Sequence, residues 1–420
     1  MSDGSVSGDG QATPAERTGA DEERIGWRTY GLVVAGTLCY TLLMFSWFSL
    51  PAYLPTIIEE VGLSGAQAGV LAGAVPLTYI PLALFSGLAV DRVGPGPSLG
   101  VALVLIGTAQ AARSLADGFL PLLGATLLLG VGATLVTFGL PKLVSVLFPP
   151  ERTGLPSSIY LVGAASGTAL TFGVGRPLLG PALGGWRPLF LWSGLAALGY
   201  AVPWLAVVFR SRLDAGGGAV DLDPTRLRSD LGTVLRHRDL RLVVVLGVCY
   251  LLVLHGLQGW LPAILESRGV PAGRAGQTTT LLVGANVAGV LTIPVLADRF
   301  GTRRLALVGS GAIAGGGVAA VATGGTTALA LVGIVAAGLG VGGLSPMVRA
   351  IPPALSGIGP RLTGTAVGLV FAVGEIGGFA GPFLIGWLHD LTGSFTPGLS
   401  ILAGSGVAAV LAGIRLRTVG

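Results

Sequence analysis

Apolar residues fill long stretches of this chain and leave the polar residues in short segments between them. A helix needs about 20 apolar residues to cross the hydrocarbon core of a bilayer. Glycine and proline inside the stretches are compatible with such helices, because neighbouring helices can satisfy the backbone groups that proline frees. The pattern predicts twelve transmembrane helices, at 30–54, 67–90, 98–116, 120–147, 155–180, 188–209, 242–263, 275–297, 304–322, 327–348, 363–388 and 397–415.

The same local sequences occur twice, once in each half of the chain. Tyr53-Leu54-Pro55 is matched by Trp260-Leu261-Pro262, and Asp91-Arg92-Val93-Gly94 by Asp298-Arg299-Phe300-Gly301, each 207 residues later. Two further matches, at offsets of 210 and 201, are Cys39-Tyr40 with Cys249-Tyr250 and Gly180-Pro181 with Gly381-Pro382. The chain is therefore predicted to be a duplicated unit. Because each unit has six helices, an even number, both copies enter the membrane in the same direction.

Composition supports this membrane interpretation. Charged residues make up 11% of the chain and hydrophobic residues 52%, whereas an ordinary soluble domain has about 25% charged residues. Cys39 and Cys249 both fall inside predicted spans, so paired disulfide chemistry is not expected. The fold class is thus predicted to be an all-α membrane protein of two six-helix bundles in a parallel repeat.

The positions of the arginines predict the topology. The net charge of +5 could suggest nucleic-acid binding, but the arginines lie in short loops between apolar segments, where they orient membrane helices. With both termini inside, the interior segments hold eighteen arginines and the exterior loops only three, Arg187, Arg268 and Arg274. Arginine is enriched on the cytoplasmic side of membrane proteins. We therefore expect a multi-pass protein of the cytoplasmic membrane with both termini in the cytoplasm, and a monomer that does not bind nucleic acid.

The domain organisation follows from the same pattern. Residues 1–28 are rich in Gly, Ser, Asp and Glu and lack an apolar signal-peptide core, so they are predicted to be a disordered cytoplasmic tail. Residues 29–209 form the first six-helix bundle and residues 242–420 the second. The polar stretch 210–241 between them is predicted to be a cytoplasmic central loop.

One repeated loop identifies a family resemblance. Gly87-Leu88-Ala89-Val90-Asp91-Arg92-Val93-Gly94 resembles the signature loop of the major facilitator superfamily of transporters. Its copy continues as Thr302-Arg303-Arg304, and so keeps a trailing basic pair that the first loop lacks. The resemblance implies a gating role for both loops. Their candidate residues are Asp91, Arg92, Gly94, Asp298, Arg299, Gly301, Arg303 and Arg304.

Within that superfamily, several motifs resemble the cyanate permease and nitroimidazole transporter group. They are Leu140-Pro141 with Phe148-Pro149, Gly184-Gly185-Trp186-Arg187, Gly381-Pro382-Phe383-Leu384 and Trp260-Leu261-Pro262. Two positions depart from the expected pattern. Thr126 stands where the superfamily often has an arginine, and Ser145 stands near the position of a cyanate-group lysine. Lys142, three residues earlier, lies on about the same helical face as Ser145.

Ionisable and polar side chains within membrane spans are costly, and they are candidates for function by default. The residues assigned on this basis to the substrate or proton pathway are Glu375, His255, Asn286, Tyr79, Arg176, Lys142 and Arg349. At 1.5 Å per residue, Glu375, Asn286 and Tyr79 are expected near the middle of their helices and His255 somewhat beyond it. The basic residues are expected nearer the helix ends.

Each of these candidates also has a structural interpretation. Glu375 could accept hydrogen bonds from neighbouring backbone, and His255 could be satisfied within its own helix. Lys142 and Arg349 could extend to the lipid headgroups, while Asn286 and Tyr79 could join helices by hydrogen bonds. We expect Arg113, which has an acidic residue four positions later at Asp117, to form a local ion pair.

Three functional hypotheses remain open from the sequence. The first is secondary active transport of a small anionic solute, with Glu375 as a proton carrier, because a protonated acid crosses a low-dielectric interior at lower cost than an ionised one. The second is export of a hydrophobic or cationic compound with Glu375 as its counter-charge. The third is a receptor on a transporter scaffold. No zinc spacing or phosphate loop is recognised, so we predict neither enzymatic activity nor a cofactor or metal.

Overall fold

The computed structural model describes residues 26–211, 224–355 and 358–416 of the 420-residue chain. Within them, twelve helices are long and apolar enough to cross a membrane, which confirms the predicted all-α fold. The first half contains α1 (Trp27–Ala52), α2 (Gly65–Val93), α3 (Pro95–Ser114), α4 (Phe119–Leu147), α5 (Gly154–Leu170) and α6 (Trp186–Ser211). The second half contains α7 (Arg238–Ser267), α8 (Ala272–Phe300), α9 (Arg303–Thr323), α10 (Ala328–Ala354), α11 (Pro360–Thr392) and α12 (Thr396–Arg415).

Three features of the helices were not predicted. The fifth span is not uniform, because α5 continues as a π-helix, Thr171–Leu179, and then as one α-helical turn, Gly180–Leu183. A short helix, Leu54–Val61, follows α1. Another helix, Pro224–Arg236, lies within the predicted loop 210–241. The predicted tail lies mostly outside the described residues, as does the rest of that loop up to Pro224.

Glycine lets the helices of each bundle approach closely. A Cβ added to Gly107 of α3 would lie 2.7 Å from the backbone oxygen of Gly194 in α6. In the second half, a Cβ on Gly317 of α9 would lie 2.6 Å from the backbone oxygen of Gly333 in α10. Small residues at crossings are typical of membrane bundles, where packing rather than the hydrophobic effect brings helices together. This packing accounts for part of the chain's content of 71 glycines.

The two halves meet mainly where α2 packs on α11, the fifth span packs on α8, and α1 packs on α7. Because successive spans alternate in direction, the loops that follow α2 and α8 lie at one end of the molecule. We call this end the arginine-rich face, since it carries Arg92, Arg299, Arg303 and Arg304. The opposite end, with the loops at Gly62 and Gly269, is the arginine-poor face.

Candidate functional site

At the arginine-poor face, polar contacts join the two halves. The Asp390 carboxylate, at the end of α11, accepts hydrogen bonds from the backbone N–H groups of Gly65 and Ala66, each at 2.7 Å. These are the first amides of α2, so the carboxylate also meets the positive end of a helix dipole. Nearby, the Arg176 guanidinium lies 3.2 Å from the Glu266 carboxylate of α7. These contacts close the molecule at this face.

Packing between α2 and α11 changes along their length. A Cβ added to Gly69 would lie 2.6 Å from the backbone oxygen of Pro382, so the backbones are in close contact near the arginine-poor face. Toward the arginine-rich face, a Cβ added to Gly87, Gly364 or Gly368 would have no neighbour within 4 Å. These three glycines therefore face open space and make no close contact of the kind that Gly69 makes.

An aromatic layer crosses between the halves where they come together. Trp47 of α1 stacks on His255 of α7, with ring centroids 5.5 Å apart, and also lies 6.1 Å from the ring of Tyr79. All three side chains are buried. Since Trp47 lies near the arginine-poor end of α1, this layer separates that face from the space between the halves.

The second half presents a cation and a carboxylate next to this layer. Arg349 of α10 lies over the ring of Phe371 at 5.0 Å and interacts electrostatically with Glu375 of α11. It also interacts with Tyr250 of α7 and, across the gap, with Tyr40 of α1. The Arg349 side chain is exposed, and its electrostatic interactions include residues of both halves.

The first half presents hydroxyl groups and aromatic rings to this cation. Tyr40 stacks on Tyr160 of α5, with centroids 6.3 Å apart, and the Tyr79 hydroxyl is 2.7 Å from the Thr137 hydroxyl. Tyr40 and Tyr79 both interact electrostatically with Glu375 of the other half. We call this region the central cleft. Its residues are Tyr40, Tyr79, Thr137, Tyr160, Tyr250, Arg349, Phe371 and Glu375.

Glu375 is buried in the central cleft with one oxygen unpaired. Its side chain is 8% exposed, and Oε2 has no hydrogen-bond partner. His255 is its neighbour, because a Cβ on Gly378 would lie 2.6 Å from Glu375 Oε2 and 3.3 Å from a carbon of the His255 ring. A buried carboxyl oxygen without a partner is costly, which makes Glu375 the chemically least satisfied group in the cleft.

Four of the predicted pathway residues are not among the cleft residues: His255, which lies in the aromatic layer, and Lys142, Arg176 and Asn286. Lys142 pairs with Asp91 at the arginine-rich face, with 2.7 Å between Nζ and Oδ1. Arg176 lies at the arginine-poor face, where it lines a cavity of about 260 Å³. Asn286 is half-buried where α8 crosses α10, and a Cβ on Gly338 would lie 3.2 Å from its backbone nitrogen.

The two repeated loops make contacts within their own halves. Asp298 accepts a hydrogen bond from Arg303 Nε at 2.6 Å, and Arg304 donates to the backbone oxygen of Ile414 in α12. Arg92 is exposed, and Arg299 lies 6.0 Å from the ring of Phe300. Gly94 and Gly301 have positive φ angles of 93° and 62°, which glycine adopts without strain.

Several cleft residues were not predicted as candidates: Tyr40, Thr137, Tyr160, Tyr250 and Phe371. The internal repeat contained a signal for two of them, because Tyr40 and Tyr250 are matched positions of the duplicated unit. Both interact with Arg349. The remaining three are ordinary residues of apolar helices, and their sequence context does not distinguish them.

The predicted ion pair between Arg113 and Asp117 is wrong. Asp117 pairs instead with Arg187, at 2.9 Å. The Arg113 guanidinium is buried and donates to the Thr126 hydroxyl at 3.1 Å and to the backbone oxygen of Ser46 at 2.9 Å. Arg113 of α3 thus reaches Thr126 in α4, the position at which the superfamily often carries its own arginine.

Comparison with known proteins agrees with this architecture. The sequence matches the Major Facilitator Superfamily over residues 36–382. It is 28% identical to a 3-(3-hydroxy-phenyl)propionate transporter of Escherichia coli (strain K12), over 86% of each chain. It is 32% identical to a 2-nitroimidazole transporter of the same organism, over 63% of this chain and 65% of that one. The resemblance predicted from the sequence motifs is confirmed.

A solved structure shares the fold. It is a bacterial homologue of the human lysosomal transporter Spinster, and it matches with a TM-score of 0.72 at 19% identity, over 94% of this chain and 96% of that one. The family match agrees with the duplicated six-helix unit and with the twelve spans. The chain belongs to the Major Facilitator Superfamily and is a multi-pass membrane transporter of small solutes.

Proposed function

We propose that the protein carries a small organic anion across the cytoplasmic membrane together with a proton, by exposing the central cleft alternately to either side. The observation that supports this proposal is the position of Arg349, an exposed cation that lies over Phe371 and interacts electrostatically with Glu375 of its own half and Tyr40 of the other. A guanidinium binds a carboxylate through parallel hydrogen bonds. The solute named for one relative, a phenylpropionate, is a carboxylate.

Glu375 supplies the coupling in this proposal. Glu375 is the only acidic residue among the cleft residues, and in this scheme its ionised form balances the charge of Arg349 when the cleft is empty. An anion that binds to Arg349 then compensates the charge of the guanidinium in place of the Glu375 carboxylate. An uncompensated carboxylate in a low-dielectric site is costly, so Glu375 then takes up a proton. The loaded cleft has the same net charge as the empty cleft, and one proton moves with each monovalent anion.

His255 and the aromatic layer act as a barrier rather than as a binding group in this scheme. The stacked rings of Trp47 and His255 close the cleft toward the arginine-poor face. Opening that face requires the stack to separate, together with the Asp390 contacts and the Arg176–Glu266 pair. In this scheme the transport pathway therefore runs past His255 and Arg176, whose contacts separate when that face opens.

The repeated loops at Asp91 and Asp298 act as gates at the arginine-rich face in this proposal. When that face closes, an aspartate at a helix end can hold a neighbouring helix terminus and an arginine, and it releases them when the face opens. In the present arrangement both aspartates bind partners in their own halves. The arginine-rich face is proposed to be cytoplasmic, with both termini on that side, and the protein to be a monomer.

The proposal is tested with Glu375→Gln, which keeps the shape of the side chain and removes its titration. A thermal-shift panel of small anions and lipophilic cations first identifies a ligand, because a bound ligand stabilises the folded protein. In proteoliposomes, the variant should still exchange that anion across the membrane but should not accumulate it under a pH gradient.

Glu151→Gln is the matched control, since Glu151 is an exposed carboxylate outside the cleft. Accumulation by this control should match that of the unmodified protein. Unchanged accumulation by Glu375→Gln would exclude the proton-carrier role. Stabilisation by lipophilic cations alone, lost in Glu375→Gln, would support the export hypothesis instead.

A further inference from the structure

The central cleft contains one cation and one carboxylate among its described residues. Two other basic residues of the spans already have acidic partners, since Lys142 pairs with Asp91 and Arg176 with Glu266. The cleft can therefore compensate a single negative charge on a solute while Glu375 is protonated. A second carboxylate would have no cation and would lie beside Glu375, where an unpaired charge is costly.

The walls of the cleft are aromatic on both sides of Arg349. The guanidinium lies over the face of Phe371, which limits the plane in which its outer N–H groups can bind a carboxylate. Opposite, the half-buried rings of Tyr40 and Tyr160 stack at an interplanar angle of 29°. The half-buried Thr137 hydroxyl lies beside them, bound to Tyr79.

These walls distinguish between solutes of the same charge. A flat ring can add to the Tyr40–Tyr160 stack and gain a specific aromatic interaction beyond the area that it buries. An aliphatic chain of similar size gains only the free energy of burying its apolar surface.

We propose that the solute is an aromatic monocarboxylate, with its carboxylate on Arg349 and its ring against Tyr40 and Tyr160. This inference rests on the proposed function, because it assigns the anion that Arg349 binds. Arg349 sets the charge of the solute, and the two tyrosines determine its shape. Tyr160 is thus a specificity residue that the transport cycle itself does not require.

The experiment measures the binding of three probes to the purified full-length protein by calorimetry. The probes are 3-phenylpropionate (aromatic, one charge), hexanoate (aliphatic, one charge) and phenylsuccinate (aromatic, two charges). We expect 3-phenylpropionate to bind most tightly. Tyr160→Leu should weaken its binding by about three- to tenfold, and should change hexanoate binding by less than about twofold.

Two further variants make the result specific. Tyr160→Phe keeps the ring and should keep the binding of 3-phenylpropionate, which separates the aromatic contact from general packing. Tyr30→Leu removes a tyrosine whose ring contacts Phe148 outside the cleft, and it should leave all three affinities unchanged. The thermal midpoint of each variant verifies folding.

Each contrary outcome has a distinct meaning. Equal binding of 3-phenylpropionate and hexanoate, weakened alike by Tyr160→Leu, would overturn the aromatic assignment and leave the proposed function standing. Phenylsuccinate binding as tight as that of 3-phenylpropionate would overturn the single-charge assignment. If no carboxylate binds at any pH while a lipophilic cation does, the proposed function itself fails.

Discussion

Lys142 and Arg349 occupy equivalent positions in the two halves, and each half uses its basic residue differently. Each residue lies five positions before the end of its helix, in α4 and α10 respectively, and the two are 207 residues apart. Lys142 binds the loop carboxylate of Asp91. Arg349 faces the cleft and interacts with Glu375 instead. The basic residue at this position of the duplicated unit thus pairs with the loop residue Asp91 in the first half. In the second half it interacts with Glu375, a candidate functional residue.

The loop sequences give a physical reason for this difference. After α8, Arg303 lies close to Asp298 and binds its carboxylate at 2.6 Å. The equivalent position after α2, 207 residues earlier, is Gly96, which has no charge. Asp91 is therefore available to Lys142, whereas Asp298 already has a partner. The basic pair that only the second loop retains thus gives Asp298 its own partner, which in our proposal leaves Arg349 available for a solute.

The largest expected effect is that of Arg349→Gln compared with Lys142→Gln. Charged hydrogen bonds contribute about 1.5–3 kcal/mol each, so Arg349→Gln should weaken anion binding by at least about tenfold. Lys142→Gln should change it by less than about threefold, because Lys142 does not contact the cleft and its exposed ion pair with Asp91 contributes little. Calorimetric titration of both variants measures the difference. Equal losses would show that the two halves contribute equally to the site.

An intermediate effect is expected for Arg303→Gln. This change leaves Asp298 without its partner, so the carboxylate can attract Arg349 in the way that Asp91 holds Lys142. Anion binding should weaken by about three- to fivefold, since exposed ion pairs are worth less than about 1 kcal/mol. The double variant Arg303→Gln/Asp298→Asn should restore the affinity. If the double variant does not restore the affinity, the Arg303–Asp298 pair is not what keeps Asp298 from attracting Arg349.

The smallest effect on affinity is expected for Asp91→Asn. The change releases Lys142, which does not contact the cleft, so anion affinity should stay within about twofold. Turnover in proteoliposomes should fall more than affinity, because the loop contributes to the balance of conformers and not to the site. Loss of binding with normal exchange between conformers would instead place the loop within the site.

The sequence predicted the helices better than the segments between them. Apolar runs of about 20 residues give an unambiguous signal, and all twelve spans were found. Leu54–Val61 is too short to span a bilayer, and Pro224–Arg236 is polar, so neither produces that signal. The π-helix Thr171–Leu179 has the composition of the α-helix around it, and only the backbone hydrogen bonds distinguish them.

The sequence predicted several residues of the candidate site, but it did not predict which residues they contact. Depth along a helix identified Glu375, and charge identified Lys142 and Arg349, but nothing in the sequence says which of the two basic residues faces the cleft. Arg113 shows the same limit, because its partner Thr126 is thirteen residues away in another helix. Side-chain pairing across helices depends on helix rotation and on competing partners, which local sequence does not record.

The sequence by itself determined the number of spans, the duplication and the inventory of charges within the membrane. These follow from the cost of placing polar groups in hydrocarbon, which acts on each segment separately. The tertiary structure decided which charges pair, because pairing depends on distances between helices. It brought Asp390 to the first amides of α2 and joined Arg176 to Glu266 across the halves. It also brought Arg349 within electrostatic range of Tyr40, although the two residues lie in different halves of the sequence.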